Sequence, residues 1–207
     1  MAYLQPEEYP DYGLPASTSA DWISAATALI NSYCRRPDLN IIEYTERLRI
    51  TCDVQAVRLT YLPLAALGVA TSPIISIQAR YARPRRGEVS NELLFDAAWA
   101  FSLPGQWTSI DAGSVDLDAK TGELTLPTNL FGLPFNEIAV AYSAGLAQVG
   151  DDIKCACAQI VRNAQSTPAL NAKASKIDTM QMQYFSSSLL DDTVKQWLRP
   201  YVATRVG

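Results

Sequence analysis

The period of apolar positions changes twice along the chain, and the changes mark out its elements. Between 22 and 33, apolar residues recur at Trp22, Ile23, Ala26, Leu29, Ile30 and Tyr33, which is the spacing of one helix face. Ser17-Thr-Ser-Ala-Asp21 supplies a capping hydroxyl and an acid ahead of that run, Arg35 and Arg36 suit its end, and Pro37 stops it. From 41 to 61 the period drops to two. Ile42, Tyr44, Glu46, Leu48 and Ile50 form one set, and Val57, Leu59 and Tyr61 another, each alternating with mostly polar neighbours. Both runs predict β-strands, as does Ile74–Tyr81. Trp107–Ile110 leads into Val115–Asp118. Lys120-Thr-Gly-Glu123 reads as a hairpin turn, with Leu124–Leu126 as the return strand. Ile138–Tyr142 is continuous enough to be a buried strand, broken at Gly145. Asn91–Phe101 fits a short helix and a buried strand alike.

Helical period returns near the C-terminus. Ile153, Ala156, Cys157, Ile160, Val161 and Ala164 share one stripe of a helix over 152–165, opened by Asp151 and Asp152. A last helix begins within Ser186–Thr193, carries Leu189, Leu190, Val194, Trp197 and Leu198, and ends at Pro200. Pro6, Pro10, Gly13 and Pro15 exclude regular helix from residues 1–16 and predict an extended N-terminal arm. Its Tyr3, Tyr9 and Tyr12 are expected to lie on a partner, since tyrosine gives contact area at low entropy cost. The class is therefore α+β: a small helical bundle, one N-terminal helix plus two C-terminal helices, with a large β-rich insertion. The expected organisation is an arm over 1–16, a helical core from 17–40 and 146–207, and a β-rich region over 41–145.

At 207 residues the chain is long enough to bury a core without disulfides or metal. Its net charge of −4 argues against gripping duplex DNA, because such affinity comes from neutralising phosphates, but suits the wall of a DNA passage. Cys155 and Cys157 diverge on a helix and can neither bridge nor share a tetrahedral metal. With Cys34 and Cys52 they read as small buried hydrophobes, and reduced thiols suit the cytosol. The first residues lack the pattern of a secretory signal, and no apolar run reaches the ~18 residues of a membrane span.

Candidate chemistry is sparse. The chain has no histidine, the usual group titrating near neutrality. Of the carboxylate pairs, Asp151/Asp152 and Asp191/Asp192 sit at helix starts, where the macrodipole explains them. Asp116/Asp118 share one strand face, either as a hard-cation site or as the solvent face of an edge strand. No nucleophile elbow or Walker-type loop occurs. The expectation is a protein that is not an enzyme, with no cofactor and no metal. Arg80, Arg83, Arg85 and Arg86 form the only dense basic run, which is either a solvated loop or a contact for acidic protein or phosphate. A second reading makes the β-rich region a tail-associated module binding protein or carbohydrate, with Tyr81, Trp99 and Trp107 as a stacking platform.

Four ordered segments carry a family resemblance. They are Ala26-x-x-Leu29-Ile30-x-x-Tyr33-Cys34-x-Arg36 followed by Glu43-Tyr-Thr-Glu46, then Thr121–Leu126 with Ile138-Ala-Val-Ala-Tyr142-x-Ala-Gly145. The third is Asp152-Ile-Lys154-x-Ala156, and the fourth runs from Lys173 through Met180-Gln-Met-Gln-Tyr184 to Leu198-x-x-Tyr201. In this order they resemble the head-tail connector (adaptor, head-completion) proteins of tailed bacteriophages. The resemblance implies a structural protein at the head–tail interface of a virion, made in the host cytoplasm. It implies a homo-oligomeric ring, usually a dodecamer, beneath the portal protein. That ring extends the DNA channel without sequence-specific binding and offers a platform to a tail or stopper protein. The C-terminal segment would engage the portal, which points to Lys195, Trp197, Arg199, Tyr201 and Arg205. Core packing of Trp197 is the alternative. Met180–Tyr184 alternates at period two, as a strand added to a neighbouring copy or folded back on its own subunit.

Overall fold

The structure is a computed structural model that describes residues 2–50, 55–68, 70–82, 100, 105–127, 135–166, 174–177, 180–183 and 189–203. It is an α+β fold that divides into two compact units. One comprises Met1–Leu39 with Gln148–Val202, and the other Asn40–Ala147 with Ala203–Gly207.

The first unit is helical. Helix α1 (Ala20–Cys34) starts at Ser19, whose hydroxyl accepts from the Asp21 N–H, and ends at Arg35 in the left-handed region with φ 56°. Helix α2 (Asp151–Ser166) opens with Asp151 and Asp152 in its first turn. Helix α3 (Asp192–Leu198) is capped by Asp191, whose carboxylate accepts from the Val194 N–H at 2.8 Å. Pro200 does not end the chain's coiling. It takes the second position of a 3-10 turn, Arg199–Tyr201, where its missing N–H costs nothing. The core is Ile23, Ala26 and Ile30 of α1, Ile153, Ala156, Cys157, Ile160 and Val161 of α2, and Val194 and Leu198 of α3. Asn163 of α2 fixes the entry to α3 by donating to the Leu189 carbonyl and the Asp191 carboxylate.

The expected extended arm is corrected. Residues 6–8 and 10–12 form two 3-10 turns, each begun by a proline, and Gly13 at φ 72° closes the second. Proline's fixed φ suits the first position of such a turn, so what excludes an α-helix here promotes a tighter one. Tyr3, Leu4, Tyr9 and Leu14 are buried in the helical unit. The Tyr3 hydroxyl reaches Asn31 and Asp38 and accepts from the Leu39 N–H at 2.9 Å.

The second unit is built on a four-stranded antiparallel sheet ordered β1-β7-β3-β4, with β1 Ile42–Arg49, β3 Ile74–Arg80, β4 Thr108–Ile110 and β7 Glu137–Ala144. A second sheet is ordered β2-β6-β5, from Ala56–Arg58, Glu123–Thr125 and Asp116–Asp118. One hydrophobic cluster draws on both sheets, including Val57 and Leu124 from the smaller and Ile77, Ile138, Val140 and Tyr142 from the larger. Register explains the alternation: Tyr44 faces Tyr142 and Leu48 faces Ile138, so the odd residues of β1 fall on the other face. Tyr44 stacks on Tyr61 with ring centroids 3.9 Å apart, and the Tyr142 hydroxyl accepts from the Tyr61 N–H. Gly145 stops β7 where the Asn40 backbone crosses it; an added Cβ would lie 2.2 Å from the Asn40 oxygen.

Strands β8 (Ala174–Ile177) and β9 (Met180–Gln183) form an antiparallel pair with each other. The period-two segment thus folds back on its own chain. No helix among the described residues is long and apolar enough to cross a membrane.

Candidate functional site

Two constellations stand out, one in each unit, and each is described by itself. In the β-rich unit, register brings charge to one end of the larger sheet. Arg49 of β1 and Arg80 of β3 both pair with Glu137, the first residue of β7, and Arg47 lies one same-face position along β1. Asn136 locks that end, since its side chain donates to the Ala82 carbonyl and accepts from the Ala82 N–H, both at 2.7 Å.

Glu137 is only 1% exposed. A carboxylate so placed is tolerable only when paired. Arg47 Nε donates to one of its oxygens at 2.7 Å, Arg80 Nε donates to the other at 2.5 Å, and Arg49 Nε lies 3.7 Å away. Burial pushes the Glu137 carboxyl up, but the Arg47 and Arg80 bonds with the Arg49 charge outweigh it and hold it below its ordinary value. The same bond raises Arg47. Trp107 completes the cluster: the Arg80 guanidinium sits over its ring at 4.5 Å and that of Arg47 at 5.5 Å.

This arrangement revises the stacking platform. Tyr81 is 9% exposed and stacks on Phe135, and Trp107 is half-buried beneath guanidiniums, so neither offers a free face of the kind a sugar ring needs. Trp99, Arg83, Arg85 and Arg86 lie outside the described residues. Of the basic run, Arg80 is fixed in an ion-pair cluster and is not a solvated loop residue.

Sequence reading overlooked Glu137, Arg47 and Arg49. The signal was present in two places. Arg47 and Arg49 are two apart in a strand pattern and hence on one face, and a lone acid opening the buried run Ile138-Ala-Val-Ala-Tyr142 requires a cation.

In the helical unit the C-terminal candidates separate by exposure. Trp197 is 36% exposed and Arg199 is exposed, while Val194 and Leu198 fill the core. Lys195 is half-buried and pairs with Asp192 at 3.1 Å. Tyr201 is half-buried and donates to Asp152 at 2.5 Å; burial and that carboxylate push its hydroxyl up to about 12. Arg205 lies outside the described residues. Of the N-terminal tyrosines, Tyr3 and Tyr9 are each 2% exposed and belong to the core, which corrects their assignment to a partner face. Tyr12 is half-buried and donates to Asp151 at 2.7 Å, which raises its hydroxyl to about 12.

Apart from Asp116, the paired carboxylates have local partners. Asp151 and Asp152 serve Tyr12 and Tyr201 at the start of α2, beside the Lys154–Glu8 ion pair. Asp118 organises the hairpin turn, accepting from the Lys120 N–H and the Thr121 hydroxyl, and these bonds lower its carboxyl. Among the described residues no group of three or more His, Cys, Asp or Glu is placed to hold a metal ion. Cys34 and Cys157 are buried, which pushes each thiol up to about 11 and leaves it protonated at neutral pH.

No protein-family model matches the chain, and no curated protein matches it.

Proposed function

We propose that the chain is a structural adaptor of a tailed-phage virion: a subunit of a ring beneath the portal that joins head to tail and extends the DNA channel. It acts by shape and contact. Its partners are the portal, neighbouring copies, and a tail or stopper protein, and DNA passes without being read. The observation that carries this reading is the end of α3. Val194 and Leu198 anchor the helix inward, while Trp197 and Arg199 stand outward in the segment that the resemblance assigns to portal docking. An exposed tryptophan beside an arginine has the composition of an interface anchor. The packing of α1, α2 and α3 into one helical unit, with the β-rich segment inserted between α1 and α2 in chain order, also supports the reading.

The test is mass photometry of the purified chain with and without its cognate portal protein. The expected result is a discrete ring-sized complex only when portal is present. Trp197→Ala should weaken that association by about tenfold or more while leaving the circular dichroism unchanged. A chain that never associates with portal overturns the proposal.

A further inference from the structure

Among the described residues of the β-rich unit, Arg47 and Arg80 bring two positive charges to one carboxylate. Each donates Nε to an oxygen of Glu137, and Arg49 Nε lies 3.7 Å from the same group. The guanidiniums of Arg47 and Arg80 carry ten N–H donors against roughly four acceptor positions on one carboxylate. Glu43 shares this face of β1 but pairs with Ser143 at the far end of the strand, ~13 Å along from Arg47. Asp111 follows β4 at the end away from Trp107, since Ile110 pairs with Ile77 and Thr108 with Ala79.

The excess faces outward. The Arg47 side chain is 56% exposed and that of Arg80 is 20% exposed. Both are held in place, by Nε on Glu137 below and by the Trp107 ring beside them. A preorganised guanidinium loses less freedom on binding than a free one, so it recognises an anion at lower cost. On this face Gln78 pairs with Ala139 beside Arg80, and the positions beyond it, Ser76 and Ala141, are small.

We propose that Arg47, Arg80 and Trp107 form a docking site for an acidic polypeptide segment, a carboxylate of which takes the place beside Glu137 on the outer side of the two guanidiniums. Protein is favoured over nucleic acid for two reasons. The cluster's geometry is already that of guanidinium on carboxylate, two Nε donors on two carboxylate oxygens. The chain as a whole carries −4, which opposes a long polyanion but little affects a short segment read within a Debye length of ~8 Å. The site stands independently of the connector reading, because it concerns one face of the β-rich unit and requires neither ring nor portal.

The experiment follows the indole N–H signals of the full chain by nuclear magnetic resonance, with that of Trp107 identified by Trp107→Phe. A blocked hexapeptide of alternating Asp and Glu is titrated in, with a Ser/Gln hexapeptide and a short DNA duplex as comparisons. The expected result is a saturable shift of the Trp107 signal with the acidic peptide alone, weakened about fivefold or more by Arg47→Ala. Should Arg47→Ala disturb the other signals, Arg47→Lys keeps the charge without the fork and is expected to weaken binding at least twofold. No shift with the acidic peptide, equal affinity in both Arg47 variants, or a duplex that moves the signal at lower concentration than the peptide would each overturn the proposal.

Discussion

Glu137 concentrates the physics of the β-rich unit in one side chain. It is buried because it opens an inner strand of the larger sheet, and it is ionised because three arginines converge on it. Glu137→Gln leaves those guanidiniums short of a counter-charge and should lower stability by roughly 3 kcal/mol in urea unfolding. Arg47→Ala removes an exposed partner and should cost less than Glu137→Gln in the same assay. The sign of the pH effect follows from the depressed carboxyl. Glu137 contributes its full stabilisation above the unfolded carboxyl value of about 4.3, and the contribution is lost as pH falls through the lower folded value. The unfolding midpoint of the parent chain should therefore fall more steeply below pH 4.5 than that of Glu137→Gln. Parallel curves would remove Glu137 from the account. Gly145 is the other decisive position. At φ 140° and with the Asn40 backbone 2.2 Å from an added Cβ, Gly145→Ala should cost on the order of 3 kcal/mol or prevent soluble expression. The break in the β-run at Gly145 was legible from the sequence; its cause, a backbone crossing from residue 40, was not, because it is a contact between distant parts of the chain.

Elements with a strong period were legible, and those set by tertiary burial were not. The stripe of α2 and the alternation of β1 appear in the sequence because each has one face to bury, and the continuous apolar run of β7 appears because that strand is buried along most of its length. The N-terminal segment failed for the opposite reason. Its prolines announce the absence of α-helix, but nothing local says that Tyr3 and Tyr9 will be drawn into a core formed by helices starting at residues 20 and 151. The hydroxyl of Tyr3 tests that docking. Tyr3→Phe leaves the Leu39 N–H without its acceptor and should destabilise the helical unit by about 1–3 kcal/mol, read as a loss of thermal midpoint in circular dichroism. An unchanged midpoint would mean that the segment adds little to the unit. The arginine cluster was half legible: Arg80 stood out in a basic run, whereas its acid lies fifty-odd residues away in sequence and only strand pairing brings the two together.

At the scale of the whole molecule, the helical unit is made from both ends of the chain and the β-rich unit from its middle. Glu8 and Tyr12 from one end and Tyr201 from the other converge on the first turn of α2, at Lys154, Asp151 and Asp152. On a ribosome this order has a temporal cost. Helix α1 emerges early, with its apolar stripe bare, and must wait while residues 40–147 are translated, on the order of ten seconds. During that interval Ile23, Ala26 and Ile30 lack the mates that α2 and α3 supply, so the nascent chain offers a sticky helix to chaperones and to sister chains on the same message.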